Sequence, residues 1–181
     1  MARVPYADPE DLPEEYRDLV VSKLQGKPVN VYAALGNNPE VLAGTRAFLG
    51  SLWESTGLSD RERELVILLT AAGNESRYEW HQHVGIGRDA GVTESEMVAI
   101  EAGEFDGFDG DESVLLRYAD AVLDRDVDDA LHEAFVVAYD ESTAVGVASL
   151  VNGYSSLAGV LDAFDVELEE GEEFAGWDPR A

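Results

Sequence analysis

The residues able to move protons are few and stand close together in the chain. There are three histidines and no cysteine, and two of the histidines fall in one stretch, RYEWHQHVGIGRDAGV, which begins at Arg77. Just ahead of it, Glu64 heads the longest apolar run, Leu65 to Ala72. Ser76, Glu79 and His83 are spaced by three and four residues, so in a helix they share one face. A carboxylate touching an imidazole at a cleft relays a proton near neutral pH, which makes Glu64, Ser76, Glu79 and His83 the candidate catalytic residues.

Other readings of the same residues stand beside that one. Glu64 could be a helix N-terminal acid favoured by the macrodipole, and His83 a core histidine satisfied by hydrogen bonds. Glu79 and His83 form an i, i+4 pair that could ligate a metal, whereas His81 and His83 lie about 200° apart around a helix and cannot share one ion. No metal is assigned. His132 has acidic neighbours and reads as a surface residue, while Tyr78 and Trp80 read as core or interface.

The absence of cysteine excludes disulfides, thiolate metal sites and thiol redox chemistry. Lysine and arginine number 12 against 38 aspartates and glutamates, a formal charge of −26. A surface of that sign repels phosphate backbones and anionic bilayers, so no nucleic acid and no membrane is expected as a partner. The acids are spread along the whole chain and not gathered in one tail. That pattern suits high salt, where the Debye length shrinks to about 3 Å, and a halophilic origin is expected. The N-terminus lacks an apolar stretch of signal length and no apolar run approaches about 18 residues, so a cytoplasmic protein is expected.

The elements that must position the four residues are helical. Residues 1–34 read as a polar arm and a short helix, with Pro13 at its start and Leu19, Val20 and Leu24 as its apolar stripe. Pro28 to Leu35 reads as a connector. Asn38-Pro39 signals a helix through Leu52, ended by Gly57. Ser59 to Glu62 is a capping box opening a helix through the apolar run, with Glu64 half-buried on it, and Thr93 to Glu96 is a second box. Between them a helix runs from about Glu75 to Ala90, closed by Gly91. Residues 103–110 read as an exposed loop. Two amphipathic helices follow, Glu112 to Leu123 and Val127 to Ala138, then a long, nearly uncharged one from Ser142 to Phe164. The 168–181 segment reads as an acidic tail, loosely held, which Trp177 could dock. The fold class is all-α.

The stretch RELVILLTAAGNESRYEWHQHVGIGRDAGV, with the closing NGYSSLAGVLDAFDVELE, resembles the carboxymuconolactone decarboxylase family, which includes the alkylhydroperoxidase D-type enzymes. The likeness covers residues 35–167. It implies an all-helical domain of two related halves assembled as a trimer or hexamer. In the peroxidase branch a glutamate, a Cys-x-x-Cys pair and a histidine form the pattern. Glu64 and His83 match its outer members, and Ser76 and Glu79 occupy the cysteine positions. A serine cannot cycle through sulfenate and disulfide, so thiol peroxidase activity is not expected. The decarboxylase branch implies acid–base groups around a histidine matching His83 and no cofactor. Its small anionic substrate would need cations in the pocket; the nearest arginines in sequence are Arg77 and Arg88.

The reading is a cofactor-independent acid–base enzyme on a small organic acid or lactone. His83 is its acid/base, Glu64 orients the imidazole, Glu79 is a second carboxylate and Ser76 forms hydrogen bonds. The alternative is a non-catalytic scaffold or small-ligand binder on the same fold.

Overall fold

Asp60–Gly73 (α3) is the helix around which the others pack. The structure, a computed structural model, describes residues 1–22 and 26–181, so Leu24 of the first apolar stripe lies outside the described residues. Every residue from Arg63 to Ala71 is buried, because Arg77–Asp89 (α4), Glu94–Glu101 (α5), Gly110–Asp124 (α6) and Glu141–Phe164 (α8) all pack on α3. A helix enclosed this way needs no polar face, which is why its sequence is a continuous apolar run.

The remaining helices are Asn30–Leu35 (α1), Pro39–Glu54 (α2) and Asp129–Ala138 (α7). Among the described residues there is no strand, only an isolated bridge between Val21 and Pro28. The 30–35 stretch, expected as a connector, is thus a helix, six residues long and too short to show a period of its own. Before it, Pro13 caps a 3-10 helix, Glu14–Val20.

Local signals set where α3 and α4 begin. The capping box closes as expected: the Ser59 N–H donates to Glu62 Oε2 at 2.8 Å, and the Glu62 N–H donates to Ser59 Oγ at 3.3 Å. The equivalent box at Thr93 and Glu96 starts α5. The turn between α3 and α4 passes through Glu75 at φ 52°, a left-handed conformation uncommon for a residue with a Cβ. Asn74 ties this turn down by donating to the Thr70 carbonyl at 2.8 Å and to Ser155 Oγ of α8 at 3.0 Å. The entry to α3 is fixed just as closely. A Cβ on Gly146 of α8 would lie 2.6 Å from the Thr56 carbonyl oxygen, so only glycine lets α8 approach the backbone leading into the helix.

Two expectations about irregular segments change. The loop at 103–110 is anchored, with Phe105 and Phe108 both buried. The tail is also held. Glu169 accepts from Tyr78 Oη at 2.6 Å and from Gln82 Nε2 at 2.5 Å, and Trp177 packs edge-on against Trp80 with ring centroids 5.4 Å apart. By length and mean hydropathy (1.4) α8 would pass as a membrane span; half of that window is buried against the other helices.

Candidate active site

Glu64 lies one turn into α3, and Glu79 and His83 occupy successive turns of α4. The packing of α4 on α3 brings the three together. His83 Nδ1 is 2.8 Å from Glu64 Oε2, and His83 Nε2 is 3.8 Å from Glu79 Oε2. The imidazole therefore stands between two carboxylates, one on each ring nitrogen. All three side chains are buried: Glu64 is 0% exposed, Glu79 4% and His83 6%. Glu64, expected half-buried, is fully enclosed because α5, α6 and α8 cover the sides of α3 that α4 leaves open.

Burial and charge act on these groups in identifiable ways. Removal from water pushes the Glu79 carboxyl up to about 7, with His83 pulling weakly the other way. Burial disfavours charge on His83. The Glu64 carboxylate, by its charge and its hydrogen bond, together with Glu79, outweighs that effect and raises the imidazole above 6.5. Among the described residues, Glu64 Oε1 and Glu79 Oε1 are buried without a hydrogen-bond partner. Such atoms are costly to leave unmet in a folded core.

Three further residues complete the site, and nothing in the spacing around His83 pointed to Trp53 or Tyr154. Arg63 immediately precedes Glu64; it is 5% exposed, and its Nε lies 3.8 Å from Glu64 Oε1. Its guanidinium stacks on Trp53 of α2 at 4.0 Å. Trp53 Nε1 donates to Tyr154 Oη of α8 at 2.9 Å, and the Tyr154 ring meets His83 edge-on at 5.3 Å. Burial, and then the nearby Glu79, lift the Tyr154 phenol well above its ordinary range, so it keeps its proton as a donor. Arg63 was legible as the neighbour of Glu64; Trp53 and Tyr154 carried no local signal.

A small cleft of about 60 Å³ opens on this group, with Glu79, His83, Trp53, Tyr154, Tyr32 and Ile86 among its walls. Ser76 is placed elsewhere. It is the buried N-cap of α4, makes no side-chain cap hydrogen bond, and lines a different groove, between the start of α4 and the tail. His81 pairs with Glu172 of the tail at 3.2 Å, and His132 is exposed beside Tyr118. Arg77 lies over Phe174, and Arg88 pairs with Glu94, so neither lines the cleft. Among the described residues no three His, Asp or Glu side chains are grouped to hold a metal ion. The two ring nitrogens of His83 face different carboxylates, and no single point can draw on all three side chains.

Fold and site together define an all-helical protein with a buried carboxylate–imidazole–carboxylate line and no thiol. Residues 39–121, which carry Glu64, Ser76, Glu79 and His83, match the carboxymuconolactone decarboxylase family. The whole chain has the alkylhydroperoxidase D-like fold. It is similar to the alkylhydroperoxidase AhpD core structure of an uncharacterised peroxidase-related protein from Ralstonia eutropha JMP134. That likeness has a TM-score of 0.83 at 19% identity and covers 93% of each chain. A peroxidase-related protein from Silicibacter sp. TM1040 aligns at a TM-score of 0.80 and 20% identity, over 96% of this chain and 92% of the other. A cysteine-to-alanine variant of the debrominase Bmp8, in complex with 2,3,4-tribromopyrrole, aligns at 0.69 and 17% identity, over 80% and 79%. No curated protein matches the chain in sequence.

Proposed function

We propose that the protein is a cofactor-independent acid–base enzyme of the carboxymuconolactone decarboxylase type, acting on a small organic acid or lactone. The observation that carries this reading is the enclosed line Glu64–His83–Glu79, whose imidazole keeps Nδ1 on Glu64 and turns Nε2 toward Glu79 and the cleft. Glu64 fixes the tautomer and supports the positive charge of the ring. Nε2 is then the nitrogen that gives or takes a proton. Glu79, with its carboxyl near 7, is a second site for that proton at neutral pH. Ser76 is not on this line; it is the N-cap of α4 and makes no side-chain cap hydrogen bond.

For a carboxylated lactone the step balances simply. The bond to the carboxylate carbon breaks, carbon dioxide leaves, and the electron pair delocalises into the lactone carbonyl. A proton from Nε2 then goes to the substrate carbon, and solvent restores it to the imidazole. Thiol chemistry has no place in the scheme, because the chain contains no cysteine.

The test is turnover of carboxymuconolactone and related carboxylated lactones, followed by release of carbon dioxide. His83→Gln should reduce the rate at least about a hundredfold while helical content and assembly stay unchanged. Undiminished turnover in that variant removes the histidine from the mechanism. The size of the cleft, about 60 Å³ and well below the few hundred Å³ of ordinary ligand pockets, supports one second reading, a non-catalytic scaffold on the same fold. That reading predicts no product from the whole panel.

A further inference from the structure

A second, larger cavity of about 620 Å³ lies between α2, the start of α3 and a wall of Leu19, Ser22 and Tyr32, and it shares Ser22, Tyr32 and Trp53 with the wall of the His83 cleft. Among the described residues its cations are Arg46 and Arg63. Each is stacked on one of the shared aromatic rings. Arg46 lies 4.1 Å from the centre of Tyr32, and Arg63 lies 4.0 Å from that of Trp53. Two arginines in one cavity is an unusual allotment for a chain with 12 basic residues against 38 acidic ones.

The two arginines are not equivalent. Arg63 is committed: Nη2 pairs with Asp60 at 2.9 Å, Nη1 donates to the Trp53 carbonyl at 3.3 Å, and Nε faces Glu64. Arg46 donates through Nη2 to the Val21 carbonyl at 3.2 Å, and no ion pair involving it is found among the described residues. Stacking on Tyr32 fixes the plane of its guanidinium, which also reaches the Tyr32 hydroxyl, and the N–H groups not on Tyr32 or Val21 are left for a planar acceptor. That is the geometry in which arginine recognises a carboxylate with two parallel hydrogen bonds. Two carboxylates also line the cavity, Glu54 and Asp60. Asp60 is already paired with Arg63, and Glu54 is exposed at the last position of α2.

We propose that the Arg46 cavity is the binding site for the carboxylate of a small, flat organic acid, held between Tyr32 and Trp53 with its reacting end directed to the His83 cleft. Arg46 holds the anion, and Arg63 is the positioning residue that links the cavity to Glu64. The narrow cleft admits only the few atoms that react, and the body of the ligand stays in the larger cavity. The proposal supplies the cation that the proposed function needs and that Arg77 and Arg88 do not provide, and it rests on that function for the word "reacting". The anion site itself does not depend on turnover.

Calorimetric titration of the protein at fixed ionic strength tests it, using benzoate, its uncharged analogue benzamide and inorganic phosphate as probes. The protein should bind benzoate about tenfold more tightly than benzamide. Arg46→Gln should abolish that preference and leave benzamide affinity within about twofold, which shows that the cavity remains folded. Arg46→Lys should keep part of the preference, and Arg88→Gln, at a residue outside both cavities, should keep all of it. No benzoate binding, equal binding of the two organic probes, or a preference that survives Arg46→Gln overturns the proposal. Phosphate competing as well as benzoate overturns the carboxylate assignment. Failure of the acid–base reading looks different: His83→Gln would keep its turnover while the benzoate preference remained intact.

Discussion

His83 and Glu79 make stability depend on pH in a direction that their surroundings fix. Glu79 is lifted from 4.5 to about 7 by burial, so the folded chain holds its proton more tightly than the unfolded chain does. Folding is therefore weakened as pH rises from about 4.5 through about 7, because a buried carboxylate must then be charged. His83 is raised above 6.5, chiefly by Glu64 working against burial. Its contribution is fully present below 6.5 and is lost as pH climbs through the higher folded value. The two signs agree, and urea unfolding midpoints should fall between pH 5 and pH 8. Glu79→Gln should remove the first contribution. It should stabilise the protein at pH 8 by at most on the order of 3 kcal/mol and do almost nothing at pH 4. An equal change at both pH values would contradict the assignment. These residues were legible because helical spacing places Glu79 and His83 on one face. Full burial of Glu64 was not, since the helices covering it are distant in sequence.

At the scale of elements, the local signals were the readable ones. The capping boxes at Ser59 and Thr93 involve neighbours three residues apart, and both form. Contacts made across the fold left no mark in the sequence. Trp53 reaches the site from α2, Tyr154 from α8, and Glu169 returns from the tail to Tyr78. Glycines in helices show the same division. Gly85 in α4 has open space where a Cβ would stand, so Gly85→Ala should stabilise by up to about 1 kcal/mol through helix propensity. Gly146 in α8 presses on the Thr56 backbone, and Gly146→Ala should instead destabilise by roughly 1–3 kcal/mol as α8 is pushed from the entry to α3. Thermal unfolding of the two variants side by side checks the opposite signs. The same sign in both would mean that α8 can yield at this point.

For the whole molecule the dominant quantity is the net charge of −26. Arg61 shows how its few cations are used. One guanidinium contacts Glu96 at 2.6 Å and Glu112 at 2.7 Å, joining α3 to α5 and α6. Among the described residues most of the acids have no such partner, and their mutual repulsion is left to dissolved ions to screen. We expect the melting temperature to rise steeply from dilute to molar potassium chloride; a flat profile would rule out adaptation to salt. Val41, Phe48, Val137 and Val145 are between 46% and 87% exposed, which fits the proposal that copies of the chain assemble as a trimer or hexamer. Light scattering at high salt reads the mass directly, and a monomer there would refute it.

The central claim is that His83 presents Nε2 for proton transfer while Glu64 holds Nδ1. Nitrogen NMR of histidine-labelled protein, with His83→Gln to assign the signals of the three histidines, observes this without any substrate. The account predicts that Nδ1 stays protonated throughout, that Nε2 titrates above 6.5, and that Glu64→Gln lowers that midpoint. A neutral ring protonated on Nε2, or a midpoint that does not move in Glu64→Gln, would contradict it.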